Sequence, residues 1–584
     1  MRGKTTRKLA RLHWLWSAIL AQKVKLVLGV LLLTGSISMS ALEPVLLGKL
    51  VDVWSKDFAR YPSWIGTDSS DGVSRVLVVL YAAILFTRIG CVIAQARVFE
   101  RIAEGVLHTV RKLTLAHSLR LTMDRVDVLS PGHIASRAIN DVDSLRDLLS
   151  TNAIKLVYSV GLLTSYCIGM LWADLYVASA SILLIPMLVY VLSRCVQHMK
   201  KRFILARALS AKMNSRVAET VTGMKIIQTE QLGSSREAAF DQVALNLARA
   251  NGSIATAYGG IYFAITYYTG IAMVLVIAIG LKRIEDGVMT PGALVTVAAY
   301  LFSISQPLRE LIESLPLIVM GFGSADRIAD FLDEETESGS GSQDTTGPEE
   351  DSGTAPLLNL KDVYFNYPAS DPVLGGINLT VHKNEWIGIV GKTGSGKSTL
   401  LKLLVGMYTP TRGTISVGAL DASSFSLKKL RNYVGLIEQS PYLFAGSVQD
   451  NITIFAASLS SDALLACEML GLSHRLSEEI QEKGSNLSLG DRQKIAVIRA
   501  IQSRASVWVF DEPTSALDPE NERQVLAVIE KFRRHRAMIM VAHRLETLNG
   551  CDKIYELKAG VLRLQDGTRL VEEFPPGYSR LTSP

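Results

Sequence analysis

Six apolar stretches, each long enough to cross a lipid bilayer, constrain the fold of this chain more than any other feature. They lie at roughly 25–48, 76–95, 152–172, 175–195, 256–281 and 291–320. A membrane-spanning helix needs about 20 mostly apolar residues, and lipid tolerates only structures that satisfy their own backbone hydrogen bonds. The charged fraction of 20% is too high for a chain that lies entirely in a membrane. The sequence therefore predicts a helical membrane domain joined to a soluble domain.

The connections between these stretches are unequal in length. Two are short, near 173–174 and 282–290, whereas 96–151 and 196–255 are long, charged and compatible with helix. The long segments predict membrane helices that continue far into water, turn and return. Both are rich in Arg and Lys, as is the N-terminus, and positive charge favours the cytoplasmic side. We therefore expect the N-terminus and both long segments to face the cytoplasm.

The N-terminus is basic and carries no acidic residue before Glu43. Residues 1–23 are predicted to form an amphipathic helix on the membrane surface, with Trp14 and Trp16 at the level of the lipid headgroups. A stretch of this composition is also compatible with a transit peptide.

A change of composition separates the membrane domain, 24–333, from the soluble domain, 357–584. The intervening residues 334–356 are acidic and rich in Gly and Ser, without an aromatic or large aliphatic side chain. Such a segment cannot bury enough apolar surface to offset its ordering entropy, so a flexible linker is predicted. Beyond it, short β-branched runs alternate with helical stretches, which is typical of an α/β domain built on a mainly parallel sheet.

Net charge and cysteine content argue against some classes of protein. A net charge of +6 is small for 584 residues and gives no reason to expect a nucleic-acid partner. The five cysteines have no paired spacing, which argues against a disulfide framework or a zinc site.

A phosphate-binding loop follows the predicted strand Trp386–Val390. The run from Gly391 to Ser398 matches the pattern G-x-x-x-x-G-K-[ST] and opens a predicted helix through Leu400–Leu404. Backbone amides and the helix dipole would hold the phosphates, Lys397 would reach the β- and γ-phosphates, and Ser398 would bind Mg²⁺. The predicted nucleotide-binding residues here are Gly391, Lys392, Thr393, Gly394, Ser395, Gly396, Lys397, Ser398 and Thr399.

Two adjacent carboxylates end a second buried strand, which begins at Val507. Asp511 is suited to hold Mg²⁺, and Glu512 is suited to orient or deprotonate an attacking water molecule. Downstream of a phosphate-binding loop, this pair predicts ATP hydrolysis.

In these features the chain resembles the ATP-binding cassette (ABC) exporters, and further family motifs follow in order. The resemblance implies an adenine-stacking role for Tyr367, contact of Gln439 with Mg²⁺ and water, and a γ-phosphate switch at His543. It implies that Ser515–Asp518 crosses a dimer interface. It implies six transmembrane helices of exporter type followed by an α/β P-loop NTPase cassette, with ATP and Mg²⁺ as cofactors.

One motif departs from the family pattern. The signature, usually Leu-Ser-Gly-Gly-Gln, is here Leu-Ser-Leu-Gly-Asp at Leu487–Asp491. In the family it closes over ATP bound to the partner's cassette, so Ser488 and Gly490 are expected to contact that nucleotide. Asp491 either repels the γ-phosphate or caps its own helix and points away.

The resemblance also implies a dimer of half-transporters. The similarity is particularly marked to the MdlB/SmdB-type subunit of heterodimeric bacterial multidrug exporters, in the phosphate loop and in the run that begins SPGHIASRAIND. The partner is then a second, different half-transporter, or otherwise a second copy of this chain, in the cytoplasmic membrane of a bacterium. The tips of the long loops, near 123–130 and 219–225, would dock on the cassettes.

This resemblance implies that the transported molecule is a small amphipathic compound of the multidrug type. A lipid flippase or a peptide exporter remains an alternative, as does a non-transporting channel or regulatory subunit. Arg88 lies within an apolar stretch and is therefore a candidate functional charge, with Glu43, Arg309, Glu310 and Glu313 as possible partners. Tyr258 and Tyr262, with Phe263, Tyr267 and Tyr268, line a cavity or simply pack between helices.

Overall fold

A computed structural model describes residues 13–55, 70–129, 131–337, 356–368, 370–418, 420–421, 427–454, 458–503, 505–515, 517–533, 536–542, 545–548 and 550–565. Part of the predicted N-terminal helix, most of the predicted linker, Ala516 and His543 lie outside these residues. The chain forms two compact units. The first spans 1–119 and 131–333, and the second spans 120–130 and 334–584.

The first unit is helical. Its helices are α1 (His13–Leu20), α2 (Lys23–Trp54), α3 (Ser70–Ser118), α5 (Pro131–Ser136), α6 (Val142–Arg146), α7 (Ala153–Ala173), α8 (Leu175–Ile182), α9 (Ile185–Thr222), α10 (Met224–Thr229), α11 (Gly233–Glu285) and α12 (Pro291–Leu332). The short helix α4 (Met123–Val128) belongs to the second unit.

Within the described residues, six helical segments are long and apolar enough to cross a membrane. They begin at Lys23, Gly72, Pro131, Leu175, Gly233 and Pro291, and each contains one of the predicted stretches. The six predicted transmembrane helices are thus confirmed. Three of them, α3, α9 and α11, continue well past the apolar stretch, as the charged segments of the sequence predict.

The helix that follows α4 is interrupted by two π-turns, Arg137–Asp141 and Asp147–Asn152. Beside the first π-turn, the nearly buried carboxylate of Asp141 accepts hydrogen bonds from Arg137 at 2.8 Å and from Arg327 Nε at 3.0 Å. Both guanidinium groups offset the charge of this carboxylate. The ion cluster fixes this segment against α12.

Helices α2 and α12 approach closely at a pair of glycines. A Cβ atom added at Gly48 would lie 2.3 Å from the carbonyl oxygen of Gly292, so no larger side chain fits there. Asp52 Oδ1 accepts a hydrogen bond from the Gly292 amide at 2.6 Å and so satisfies a backbone group at the start of α12.

The second unit contains the α/β cassette. Its main sheet has six strands in the order β12-β11-β3-β10-β9-β6, with β12 antiparallel and the others parallel. These strands are β3 (Trp386–Val390), β6 (Val434–Ile437), β9 (Val507–Asp511), β10 (Ala537–Val541), β11 (Lys553–Lys558) and β12 (Val561–Leu564). The central strands β3, β9 and β10 are buried on both faces, which explains their continuous apolar runs.

A smaller antiparallel sheet has the order β2-β1-β4-β5, and two short strands pair as β7-β8. These strands are β1 (Leu358–Asn366), β2 (Pro372–Val381), β4 (Arg412–Val417), β5 (Leu420–Asp421), β7 (Gly446–Ser447) and β8 (Glu479–Ile480). The cassette helices are α13 (Lys397–Leu404), α14 (Leu427–Tyr433), α15 (Val448–Thr453), α16 (Ser461–Met469), α17 (Leu489–Gln502) and α18 (Pro519–Phe532).

Candidate ATP site

The phosphate-binding loop joins β3 to α13, as the sequence predicts. Gly394 and Gly396 have φ angles of +81° and +102°, a region of backbone conformation that residues other than glycine rarely adopt. The positive φ at Gly396 reverses the chain immediately before Lys397, the first residue of α13. The loop therefore ends at a helix N-terminus, where backbone amides and the helix dipole favour an anion.

Lys397 is buried within its own loop. Its Nζ donates hydrogen bonds to the carbonyl oxygens of Gly391 at 2.7 Å and Lys392 at 3.1 Å. Burial lowers the pKa of Lys397, and the nearby carboxylates of Glu512 and Asp511 partly offset this effect. The ammonium group is thus held at the predicted phosphate site. Phosphate oxygens of ATP can replace the two loop carbonyls as its hydrogen-bond acceptors.

Ser398 and Asp511 come together at the carboxyl end of β9. The Ser398 hydroxyl donates to Asp511 Oδ2 over 3.3 Å. A hydroxyl and a carboxylate oxygen are hard donors of the kind that Mg²⁺ prefers. This pair therefore fits the predicted magnesium ligands.

Glu512 follows Asp511 in a strained backbone conformation, with φ of +50°. Its amide donates to the carbonyl of Val541 at 3.0 Å, and its Oε2 accepts a hydrogen bond from Gln439 Nε2 at 2.7 Å. A cavity of about 210 Å³ opens beside it, lined in part by Thr514 and Glu522. The structure thus brings Gln439 and Glu512 together, as expected for two groups that handle one water molecule.

Tyr367 lies next to the end of the phosphate loop. Its hydroxyl is 3.1 Å from Thr399 Oγ1, and its ring packs edge-on against Phe365 and Tyr408 at centroid distances of 5.0 and 5.3 Å. The half-buried ring is therefore held in one orientation beside the predicted nucleotide site, as adenine stacking requires.

The altered signature forms the start of α17. Ser488 is the N-cap residue, and its side chain accepts a hydrogen bond from the Asp491 amide at 3.0 Å. Asp491 lies in the first turn, where a negative charge is favourable, and its Oδ2 is 3.2 Å from Arg475 Nη1. Leu489 is 38% exposed. Ser488, and not Asp491, therefore caps this helix, and the Asp491 carboxylate is paired with Arg475.

Not all predicted site residues lie together in one chain. Among the hydrogen bonds and ion pairs of the described residues, none joins Ser488 or Gly490 to the phosphate loop. The contact of Ser488 and Gly490 with a nucleotide therefore stays a prediction. His543 lies outside the described residues, so its role stays a prediction.

Two contributors to the site have no clear signal in the sequence. Gln493 is 2% exposed, and its Nε2 donates to the carbonyl oxygen of Gln439 at 3.3 Å, which links the signature helix to the Gln439 loop. Arg475 is the second, because it precedes its partner Asp491 by 16 positions. The spacing of Arg475 and Glu478 predicts a local ion pair, but it gives no indication that Arg475 also contacts Asp491.

Helix α4, a predicted docking tip, packs within the cassette unit. Met123 contacts the core of the smaller sheet, and the hydroxyl of Tyr408 donates to Asp127. Arg125 pairs with Glu334 at 3.2 Å. The segment is thus held by an apolar contact, a hydrogen bond and an ion pair, next to the aromatic group that contains Tyr367.

The predicted intramembrane charge Arg88 has a partner on the first membrane helix. Its Nε lies 2.9 Å from Glu43 Oε1, and its Nη1 lies 3.4 Å from the Ser40 hydroxyl. A paired charge is far less costly in lipid than a lone one. Arg88 is therefore tied to α2 and does not simply extend towards the headgroups.

Two acidic residues of α12, Glu310 and Glu313, have partners on two other helices. Tyr262 donates to Glu313, Ser159 donates to Glu310 at 2.9 Å, and Arg309 lies over the ring of Tyr262 at 5.4 Å. Tyr268, by contrast, is packed into the helical core, and Tyr258 packs against that core. Among the aromatic residues of α11, Tyr258 and Tyr268 thus pack between helices, whereas Tyr262 contacts charged side chains.

Two family models match the chain and together cover most of it. The "ABC transporter transmembrane region" matches residues 26–308, and the "ABC transporter" model matches residues 374–515. The second match includes the phosphate loop, Gln439, the signature and the Asp511–Glu512 pair.

Known relatives and a solved structure agree with these family matches. An ATP-dependent lipid A-core flippase of Aromatoleum aromaticum is 28% identical, over 81% of this chain and 78% of its own. A Bacillus subtilis protein named "Probable multidrug resistance ABC transporter ATP-binding/permease protein YheH" is 23% identical, over 83% and 73%. The fold matches that of a bacterial Atm1-family ABC exporter solved with ATP bound, with a TM-score of 0.75, 22% identity, and coverage of 92% and 94%.

One membrane region and one cassette follow each other in a single chain, and the cassette retains the residues of an ATPase. The chain therefore belongs to the ABC transporters and is a multi-pass half-transporter of the exporter fold, whose ATP hydrolysis drives transport.

Proposed function

We propose that this half-transporter exports amphipathic small molecules of the multidrug type by alternating access, as in MdlB/SmdB-type subunits. The observation that carries the proposal is a group of aromatic and charged side chains on α11 and α12. Phe263 and Tyr267 stack there at 5.6 Å and are 68% and 59% exposed. Beside them Tyr262 and Glu313 form a hydrogen-bonded pair. Exposed rings next to a carboxylate suit a ligand that is both aromatic and polar or cationic.

In this proposal the cassette works through the residues described above. Lys397 and the loop amides bind the phosphates, Tyr367 supports the adenine, and Glu512, oriented by Gln439, polarises the attacking water. Ser398, Asp511 and Gln439 would hold Mg²⁺, which offsets the charge of the phosphates when it is bound. His543 would contact the γ-phosphate. Ser488 and Gly490 would contact ATP on the partner's cassette.

The same proposal includes the dimer and the location. ATP binding would close two cassettes, and hydrolysis would release them. The partner is a different half-transporter, or otherwise a second copy. The basic residues of the long segments support an orientation with the N-terminus and the cassette in the cytoplasm. The resemblance to bacterial exporters supports the inner membrane of a bacterium. The proposal keeps the predicted domain limits of 1–23, 24–333, 334–356 and 357–584.

A lipid flippase is the second candidate, since a relative of 28% identity carries that name. Inside-out vesicles that contain the purified transporter separate the candidates. We expect ATP-dependent uptake of a cationic aromatic dye, lost in Glu512→Gln. ATP-dependent movement of a labelled lipid without dye uptake would favour the flippase. ATPase activity without movement of either probe would favour a channel or regulatory subunit.

A further inference from the structure

One guanidinium group serves two carboxylates at the start of the signature helix α17. Arg475 Nε donates to Glu478 Oε2 at 2.7 Å, and its Nη2 donates to Oε1 of the same residue at 3.2 Å. Its remaining terminal nitrogen, Nη1, lies 3.2 Å from Asp491 Oδ2. The side chains of Arg475 and Asp491 are 27% and 25% exposed, so the pair is partly shielded from water.

Asp491 stands where the family has a neutral glutamine, in a segment that the proposed function places against a triphosphate. A carboxylate there repels the phosphates, and the repulsion grows as closure excludes water. A guanidinium 3.2 Å away turns the isolated charge into an ion pair, whose field falls off faster with distance. Pairing also directs the carboxylate towards Arg475.

The rest of the signature remains able to bind an anion. The amides at the start of α17 are partly free of intrahelical partners, as at every helix N-terminus. The Ser488 hydroxyl accepts from the Asp491 amide and therefore keeps its own proton for another acceptor. With the charge of Asp491 offset, Ser488 and Gly490 can approach a phosphate.

We infer that Arg475 is a positioning residue for ATP binding, which offsets the charge of Asp491 so that this altered signature can still close over nucleotide. The inference rests on the proposed function, in which Ser488 and Gly490 contact the partner's ATP. It predicts that Arg475 is needed only while residue 491 is acidic.

The test uses full-length transporter, with its partner chain if one co-purifies. Glu512→Gln in this chain, together with the corresponding change in a co-purifying partner, prevents turnover at both sites. The measurement is the ATP concentration that gives half-maximal nucleotide retention per dimer after rapid gel filtration. Arg475→Gln should raise this concentration about tenfold at the site that the altered signature closes. Adding Asp491→Asn to Arg475→Gln should return it to within about threefold of the parent value.

Glu478→Gln is the matched control, because it removes the other carboxylate that binds Arg475 and leaves the Arg475–Asp491 pair in place. It should stay within about twofold of the parent. If Arg475→Gln does not fold, Arg475→Lys keeps the charge and should give a half-maximal ATP concentration close to that of the parent. Weaker ATP binding in Arg475→Lys would overturn the inference. So would parental ATP binding in Arg475→Gln, or weaker binding in that variant that Asp491→Asn does not restore.

The two proposals fail in different ways. A parent transporter that moves no substrate overturns the proposed function. A parent that transports, with a loss in Arg475→Gln that is independent of residue 491, overturns only the role of Arg475. Thermal unfolding of every variant identifies a loss that comes from stability alone.

Discussion

The side-chain amide of Gln439 donates a hydrogen bond to Glu512 over 2.7 Å, although 73 positions separate the two residues. Glu512 is held in turn by its amide contact with Val541, in a backbone conformation with φ of +50°. Strain of this kind persists where the surrounding structure overdetermines it, typically at functional sites. Gln439 therefore holds the carboxylate of Glu512, and Val541 holds its backbone.

Glu512→Gln should abolish ATP hydrolysis and preserve ATP binding. The amide keeps the size of the side chain and can still bond to residue 439, but it cannot accept a proton. Turnover should fall by at least about 100-fold, the usual contribution of a general base. Steady-state ATPase and nucleotide-binding assays measure the two effects. Turnover within about twofold of the parent would remove Glu512 from this role.

Arg88→Leu should impair transport more than ATP binding. The substitution leaves Glu43, whose side chain is 16% exposed, without the guanidinium that lies 2.9 Å away. A lone carboxylate within lipid is costly, so the membrane helices should rearrange. Substrate-stimulated ATPase and vesicle uptake should both decrease, while nucleotide affinity remains unchanged.

The double variant Arg88→Leu, Glu43→Gln is the control for that prediction. It removes both charges and should recover the stability, measured by thermal unfolding in detergent, that the single variant loses. Stimulation and uptake equal to the parent in Arg88→Leu would show that the ion pair has no part in transport.

Asp127→Ala should weaken the coupling between transport and hydrolysis. Asp127 accepts a hydrogen bond from the Tyr408 hydroxyl, and this bond helps to hold α4 in the cassette unit. Hydrogen bonds to charged groups contribute about 1.5–3 kcal/mol, and less when exposed, as Asp127 is. We expect reduced stimulation by substrate with basal ATPase retained.

Asp124→Ala is a matched control for Asp127→Ala, because it removes a carboxylate from the same short helix. Stimulation of its ATPase activity by substrate should be greater than in Asp127→Ala. If both variants behave like the parent, the Tyr408 bond is not part of the coupling path.

The working unit should be a heterodimer with unequal ATP sites. The phosphate loop, Asp511 and Glu512 are intact, whereas the signature is altered, so a partner with a consensus signature would complete the fast site. We expect stable 1:1 co-purification with a second half-transporter. ATPase activity should be lost in Glu512→Gln of this chain and largely kept in Asp491→Gln.

A homodimer gives the opposite pattern. Robust ATPase from the lone chain, improved neither by a partner nor by Asp491→Gln, would exclude the heterodimer proposal. Purification of the chain alone and with a candidate partner decides between them.

Local signals in the sequence were sufficient for much of this protein. The six membrane helices follow from the length and apolar character of continuous segments, which lipid enforces regardless of neighbours. The phosphate loop follows from a contiguous pattern between β3 and α13. The paired carboxylates that end β9 were predictable for the same reason.

Pairings between distant residues were decided only by the tertiary structure. The sequence offered four possible partners for Arg88, and helix packing selected Glu43. It left the charge of Asp491 open between repulsion and capping, and the fold brought Arg475 to it. A motif records the chemistry of neighbours along the chain. Whether a charge is offset depends on groups that only packing brings within a few ångströms, where Coulomb energy is large.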